Sequence, residues 1–176
     1  MSPYSKFLRL LLTATLACTA MAAWSLTSDR EQSITIHSDS AERNEAKGTT
    51  TYAGNVVMQQ GSMRIDASKV IIYNDKNKVT RIVATGSPVR YQQKPNETDG
   101  LVVAEARRLE YNIRKETLHL IEQASLQQEG TSITGDRIDY DVKESVVKAG
   151  SDASQSGRVR MVIPPRSLKF GADDEE

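Results

Sequence analysis

The chain has 176 residues, of which 38% are hydrophobic and 26% charged, and its formal net charge is zero. A balanced charge argues against a nucleic-acid-binding protein, because such proteins usually carry a basic stripe. The length is enough for a short leader segment followed by a single domain.

The first 22 residues have the pattern of a secretory signal peptide. Lys6 and Arg9 form a basic start, Leu10–Ala17 is apolar or small throughout, and Ala20-Met21-Ala22 is a small-x-small cleavage signal. The apolar run is shorter than the roughly 20 residues that a membrane-spanning helix needs. Cleavage after Ala22 leaves 154 of the 176 residues, with 21 basic side chains against 23 acidic ones and a net charge of −2.

The single cysteine leaves a second interpretation of this segment open. Residues 15–18, Thr-Leu-Ala-Cys, resemble a lipoprotein cleavage box, but the leucine stands one place too close to Cys18. We therefore expect Cys18 to leave with the signal peptide. An exported chain without cysteine has no disulfide bonds to stabilise it and must depend on its hydrophobic core.

After the leader, apolar and polar residues alternate with a period of two, and helical spacing is not sustained. Such alternation indicates strands with one apolar face. The clearest runs are 34–36, 56–58, 63–65, 109–113, 138–142 and 159–161. Turn signals separate them at 47–48, 61–62, 74–77, 86–88, 96–100 and 129–130. The pattern predicts an all-β fold with about a dozen or more strands of roughly five to nine residues.

The sequence also repeats itself at an offset of 68 residues. Met58-Gln59-Gln60 is echoed by Leu126-Gln127-Gln128, and Ile65 by Ile133. Four units can be aligned, beginning at Ile36, Ile65, Ala104 and Ile133, each with a mostly apolar residue five positions later. Seven positions after each start stand Arg43, Ile72, Tyr111 and Tyr140, so the first unit breaks the pattern. Since one such unit cannot bury its apolar face alone, the units are expected to stack into an elongated structure with an apolar interior.

Candidate catalytic residues are few. The two histidines, His37 and His119, lie in alternating strands, where a solvated surface position is the expectation. Asp139 and Asp141 share an outward strand face and lack the cleft that a glycosidase pair would need. The sequence contains no nucleophile elbow, phosphate loop or zinc-protease motif, and therefore favours a protein that is not an enzyme and has no metal or cofactor.

Several stretches, in their order and spacing, resemble the LptA/OstA-like family of periplasmic proteins, which carry lipopolysaccharide toward the Gram-negative outer membrane. They are ITIHSD at 34–39, YAGNVVMQQG at 52–61, IDASKV at 65–70, GSP at 86–88, LQQ at 126–128, GDRIDY at 135–140 and IPP at 163–165. The resemblance implies a twisted, open antiparallel β-jelly roll with a V-shaped groove. With the signal peptide at 1–22, this gives one domain at 23–168, followed by a tail at 169–176 that its run of acidic residues predicts to be disordered.

The resemblance further implies that the groove shields the acyl chains of lipid A without catalysis. The lipid-contacting positions of the family correspond to Ile34, Tyr91, Tyr111 and Ile113 in this chain. Where the family often has phenylalanine this chain has Tyr91, which implies a wetter cavity there. The alternation adds five further candidates for the groove, namely Ile36, Met58, Ile65, Leu126 and Ile138.

Partners follow from the same resemblance. An open roll leaves an unpaired strand at each end, and unpaired edges are templates for strand addition. The first edge strand, within 33–38, is expected to pair with an inner-membrane-anchored LptC-like protein. The last, within 158–163, is expected to pair with a second copy, head to tail, or with an outer-membrane LptD-like translocon. The edge residues proposed on this basis are Ser33, Thr35, His37, Arg158, Val159, Arg160 and Met161.

Three other functions remain open on the residues alone. An exported structural or adhesive β-repeat protein with a solid core would show the same alternation. A periplasmic carbohydrate-active enzyme would need a carboxylate pair in a cleft. A membrane-anchored relative of the same fold is disfavoured by the cleavage signal Ala20-Met21-Ala22. Binding of an amphiphile by the purified protein would separate the first of these from a lipid carrier.

Overall fold

The computed structural model describes residues 29–76, 78–95, 100–150 and 157–165. The expected signal peptide, Cys18 and the expected acidic tail at 169–176 lie outside these ranges. No helix within them is long and apolar enough to cross a membrane.

The described part of the chain is built almost entirely of strands. A 3₁₀ turn, Asp29–Glu31, precedes ten strands. They are β1 Thr35–His37, β2 Ser40–Asn44, β3 Thr49–Gln60, β4 Met63–Asp75, β5 Lys78–Gln93, β6 Val102–Asn112, β7 Thr117–Gln128, β8 Thr131–Asp141, β9 Val146–Gly150 and β10 Arg160–Val162. The all-β prediction is confirmed, whereas the expected strand lengths are wrong, because β3–β8 each have 11 to 16 residues.

All ten strands belong to one antiparallel sheet. Its order is β1-β3-β4-β5-β6-β7-β8-β10. β2 also pairs with β3, nearer the start of that strand than β1 does, and β9 also pairs with β8, nearer the end of that strand than β10 does. Each edge of the sheet is thus a strand in two pieces. Since the order begins at β1 and ends at β10, the two edges do not meet and the sheet stays open.

The 68-residue repeat corresponds to a repeat in strand pairing. Met58 pairs with Ile65 in the β3–β4 hairpin, and Leu126 pairs with Ile133 in the β7–β8 hairpin. The edge follows the same rule, because Thr35 pairs with Gln59 and Val103 pairs with Gln127. The pieces β1 and β2, with β3 and β4, therefore correspond to β6, β7 and β8.

A line of bulges bends every long strand near its middle. The pairing of β3 with β4 shifts between Ala53 and Val56, and that of β7 with β8 shifts 68 residues later, between Ile121 and Ala124. Both sites hold two residues with positive φ, Gly54 and Asn55 in β3 and the matching pair at 122–123 in β7. A bulge bends its strand and breaks the period of two. The odd spacing of five residues at the start of each sequence unit is this break. In the second, third and fourth units it falls inside one bent strand, and in the first unit it separates β1 from β2.

The predicted turn at 86–88 is wrong for the same reason. Gly86-Ser87-Pro88 lies inside β5, where the pairing with β6 shifts between Thr85 and Val89. Proline cannot donate a hydrogen bond to the ladder, and glycine within a strand often marks a bulge. Here the two residues therefore indicate a bulge and not a chain reversal. The signal for irregular backbone was correct, and only its geometric interpretation fails.

The bulges divide the sheet into two arms. The first arm contains β1, β10 and the strand halves that pair with them, and the second arm contains β2, β9 and the other halves. Met58 and Ile65 in the first arm and Ile72 and Ile82 in the second belong to a single hydrophobic core. The two arms therefore close on a shared interior.

Candidate binding site in the sheet interior

One row of side chains runs across the whole inner face of the first arm. Each member is the register partner of the next on the neighbouring strand. We call it the interior row, and it consists of Ile36, Met58, Ile65, Tyr91, Ala104, Leu126, Ile133 and Met161. Eight strands spaced by the usual interstrand distance give the row a length of about 34 Å.

The interior row is closed at its centre and accessible at its ends. The five central members of the row are only 0–3% exposed, namely Met58, Ile65, Tyr91, Ala104 and Leu126. Ile36 and Ile133 are half-buried, and Met161, at the far edge, is 54% exposed. A ligand that occupied the centre would have to separate the two arms, whereas the ends can be reached without such a movement.

The nine residues predicted to contact lipid all lie on or beside the inner face. Five of them, Ile36, Met58, Ile65, Tyr91 and Leu126, are members of the interior row. Tyr111 and Ile138 are buried in the second arm. Ile34 precedes β1 and Ile113 follows β6, and both are half-buried against the core.

The sequence prediction missed two members of the row, Ala104 and Met161. Ala104 was recognised only as the start of a repeat unit, and its small side chain gave no reason to include it. Ile133 follows from its match to Ile65 at the 68-residue offset. Met161 was assigned to the partner edge alone, and its register with Ile133 shows that it also continues the row.

Tyr91 is a polar group within the row. Its hydroxyl donates a hydrogen bond to the Gln93 side-chain oxygen, so the polar group that suggested a wetter cavity has a partner within the protein. Burial raises the pKa of the Tyr91 phenol well above its ordinary value, and Tyr111, Tyr140 and Asp29 raise it further.

Asp29 anchors the segment before β1 to this end of the first arm. Its carboxylate accepts hydrogen bonds from the Ser62 backbone N–H at 2.8 Å and the Ser62 hydroxyl at 2.6 Å. It also accepts one at 3.0 Å from the side-chain amide of Gln93, the buried polar side chain that holds Tyr91. Asp29, Gln93 and Tyr91 thus connect the segment before β1 to the interior row.

We expect Asp29→Ala to lower the free energy of unfolding by about 1–3 kcal/mol, because it leaves the buried Gln93 amide and the Ser62 N–H without this acceptor. Urea unfolding followed by circular dichroism would measure the change. Glu31→Ala removes an exposed acid from the same 3₁₀ turn and is the matched control. Equal losses for the two variants would contradict the assigned role of the Asp29 hydrogen bonds.

The two histidines have different surroundings. His37 is exposed, as expected. The solvated position expected for His119 is wrong, because its Nδ1 lies 2.5 Å from the Asp139 carboxylate and the ring is only one-third exposed. Burial would raise the pKa of Asp139, but hydrogen bonds from Arg137 and His119 outweigh burial and lower it. This cluster is on the outer face, away from the interior row.

The predicted edge strands are present but shorter than expected. Thr35 and His37 lie in β1, and Arg160 and Met161 lie in β10. Ser33, Arg158 and Val159 are outside the ladder, although all three are exposed. β10 ends at Val162, before Pro164 and Pro165, which agrees with the inability of proline to donate to a ladder.

Comparison with known proteins identifies relatives over most of the chain. Residues 35–146 match the family described as LptA/(LptD N-terminal domain) LPS transport protein. The chain is 34% identical over 165 residues to the lipopolysaccharide export system protein LptH of Pseudomonas aeruginosa. This match covers 90% of the present chain and 94% of LptH. It is 31% identical over 164 residues to the lipopolysaccharide export system protein LptA of Escherichia coli K12, covering 92% and 87% respectively.

A solved structure shows the same architecture. The crystal structure of LptH, described as the LptA-homologous periplasmic component of the lipopolysaccharide transport device of Pseudomonas aeruginosa, superposes with a TM-score of 0.74 at 35% identity. The match covers 79% of this chain and all of that one. The fold prediction, an open antiparallel β-jelly roll, is confirmed.

Proposed function

Because the chain belongs to the LptA/(LptD N-terminal domain) family of lipopolysaccharide transport proteins, we propose that it is a non-enzymatic periplasmic carrier of lipopolysaccharide. The observation that carries the proposal is the interior row, an apolar surface that is continuous across eight strands. In this proposal the row receives the acyl chains of lipid A, and the sugar and phosphate portion stays outside the apolar interior, at the solvent-exposed surface. The route to the periplasm is the signal peptide at 1–22.

Burial of acyl chains supplies the binding free energy in this mechanism. Each methylene group removed from water contributes about 0.8 kcal/mol, so a few groups against the half-buried ends already favour binding. Entry begins at Ile34 and Ile36, which are the accessible apolar residues at the N-terminal edge. Further entry requires the arms to separate, because the side chains from Met58 to Leu126 fill the space between them.

The two open edges support a bridging role. β1 at one end and β10 at the other each have a neighbour on one side only in the described sheet. We assign the N-terminal edge, around Thr35 and His37, to an inner-membrane-anchored LptC-like partner. The C-terminal edge, around Arg160 and Met161, is assigned to an LptD-like translocon or a further copy. Heterologous contacts of this kind do not close on themselves, so copies can extend head to tail.

The closed centre of the row also favours the second candidate, a structural β-repeat protein with a solid core. In that case the interior would stay packed in the presence of any amphiphile. Retention or uptake of lipopolysaccharide by the purified protein separates the two functions. Family membership favours the carrier.

Photocrosslinking tests the assignment of the site. A photoreactive phenylalanine analogue at Ile34, on the inner side of the N-terminal edge, is expected to form an adduct with lipopolysaccharide after irradiation in cells. The analogue at Tyr111 tests whether the lipid also reaches the second arm. His37, exposed on the outer face of β1, is the matched control. Equal adduct formation from Ile34 and His37, or none from Ile34, would contradict an interior site.

A further inference from the structure

Arg43 interrupts an otherwise non-ionic row on the inner face of the second arm. The register runs from Arg43 in β2 through Thr50, Ile72, Ile82, Tyr111, Leu118 and Tyr140 to Val147 in β9. Ile72, Ile82 and Tyr111 are buried in the core. Arg43 pairs with Thr50, which pairs with Ile72, so Arg43 lies on the same inner face. Arg43 stands where the other repeat units carry isoleucine or tyrosine, and it is the position that breaks the sequence pattern.

Arg43 also lines a preformed cleft at the end of the second arm. The cleft has a volume of about 500 Å³ and is lined by the turn between β2 and β3 and the turn between β4 and β5. The Asn74 backbone N–H donates to the Gly48 carbonyl oxygen at 2.8 Å and fixes the two turns together. Gly48 has φ +60, and a Cβ there would meet the Asn74 carbonyl oxygen at 2.6 Å, so the close approach requires glycine.

The charges in this cleft favour an anion. Arg43, Lys47 and Lys76 line it against two carboxylates, Glu45 and Asp75. The Arg43–Glu45 pair is 3.5 Å apart and both side chains are more than half exposed. An exposed pair of this kind contributes little to stability, which leaves the guanidinium free to exchange its partner. A guanidinium matches phosphate with two parallel hydrogen bonds.

The position of the cleft relative to the interior row identifies the anion. Ile36 pairs with Met58 near the C-terminal end of β3, and Arg43 pairs with Thr50 near its N-terminal end. Since β3 bends at its bulge, the two residues stand on opposite arms at the same mouth of the interior. Because β1 and β2 both pair with β3 at the N-terminal edge, an amphiphile whose acyl chains contact Ile36 can extend its polar end toward Arg43.

We propose that Arg43, with Lys47 and Lys76, binds a phosphate group of the lipid headgroup at the N-terminal mouth of the interior. This inference rests on the proposed carrier function and deepens it. The apolar side of the mouth holds the acyl chains, and the cationic side fixes the orientation of the headgroup. The chemistry recognised is a phosphate monoester carried by an acylated sugar.

The test compares lipid A carrying both phosphates with enzymatically dephosphorylated lipid A. We expect Arg43→Leu to weaken binding of the phosphorylated form about tenfold, the loss typical of a removed charge-assisted hydrogen bond, and to leave the dephosphorylated form unchanged. Arg43→Lys keeps the charge without the planar fork and should lose less. Arg90→Leu is the matched control, because Arg90 is also 67% exposed and ion-paired but lies on the outer face.

Each other outcome overturns the inference. Equal binding of phosphorylated lipid A by the wild type and Arg43→Leu, or an equal loss for both lipid forms, excludes a phosphate contact at Arg43. If Arg43→Leu binds lipid normally but self-associates at a lower protein concentration than the wild type, Arg43 serves only to prevent pairing at the edge strand. Displacement of lipid A by millimolar inorganic phosphate would make the cleft a general phosphate site. If the wild-type protein binds neither lipid form, the carrier function itself fails.

Discussion

Aspartate in place of Ile36 is expected to weaken lipopolysaccharide binding by at least about tenfold while the sheet remains folded. Ile36 is half-buried at the first position of the interior row, so a carboxylate can reach water in the free protein. Bound acyl chains would cover that carboxylate and leave it without a partner, and this burial is costly. Binding to immobilised lipopolysaccharide, with circular dichroism as the measure of folding, would detect the loss.

Thr35→Asp is the control for this experiment. Thr35 is the preceding residue of the same short strand, is exposed, and faces the opposite side of the sheet. Both variants add one negative charge to the N-terminal edge. If Thr35→Asp weakens binding as much as Ile36→Asp, the effect belongs to the edge and not to the interior row.

Tyr111 is a poorer position for the same substitution. Tyr111 is only 4% exposed and packs in the core, so a charge at this position is expected to destabilise the protein as well as to block lipid. The half-buried Ile36 therefore separates binding from folding more cleanly.

Lysine in place of Met161 is expected to raise the dissociation constant for head-to-tail self-association by about 10- to 100-fold. Met161 is 54% exposed at the free edge of the interior row, and a docked second copy would bury it. Loss of a buried methionine side chain accounts for most of this effect. An inward-pointing charge on an edge strand also opposes strand addition. Sedimentation velocity over a concentration series would measure the dissociation constant.

Val162→Lys is the companion variant. Val162 follows Met161 in β10, is exposed to a similar degree, and faces the outside of the sheet. A much smaller effect is expected from this variant. A wild-type protein that stays monomeric at high concentration would contradict the edge assignment, and equal effects of the two lysines would contradict the role of the interior row in the joint.

The sequence predicted the strands and their faces because both are local properties. Alternation at 63–65 placed Met63 and Ile65 on one face, and the structure buries both. The 68-residue repeat predicted equivalent β units, and the structure contains them, because Met58 pairs with Ile65 as Leu126 pairs with Ile133. These inferences needed no knowledge of which strands would become neighbours.

The bulges were the main source of error. The predicted strand length of roughly five to nine residues was too short, because the spacing of five between inward positions such as Ile65 and Val70 breaks the period of two that a regular strand keeps. The structure shows one strand with a pairing shift between Asp66 and Lys69. Glu122 and Gln123 have positive φ although neither is glycine or asparagine, so residue type does not predict this bulge. The matching bulge in β3 contains Gly54 and Asn55, which are residue types that favour positive φ. A bulge that uses ordinary residues leaves only the broken period as a signal.

The sequence by itself determined the fold class, the repeat, the apolar faces and the family resemblance, because each is written in short spacings or in the order of motifs. Only the tertiary structure joined Ile36 to Met161 in one row, since register depends on every intervening turn and bulge. It also decided that the row is closed at its centre, and that Asp29 reaches Gln93, 64 residues away. Arg43 looked like a break in a pattern, and its pairing with Thr50 placed it on the inner face at the mouth. These properties arise from contacts between distant residues, which no local period encodes.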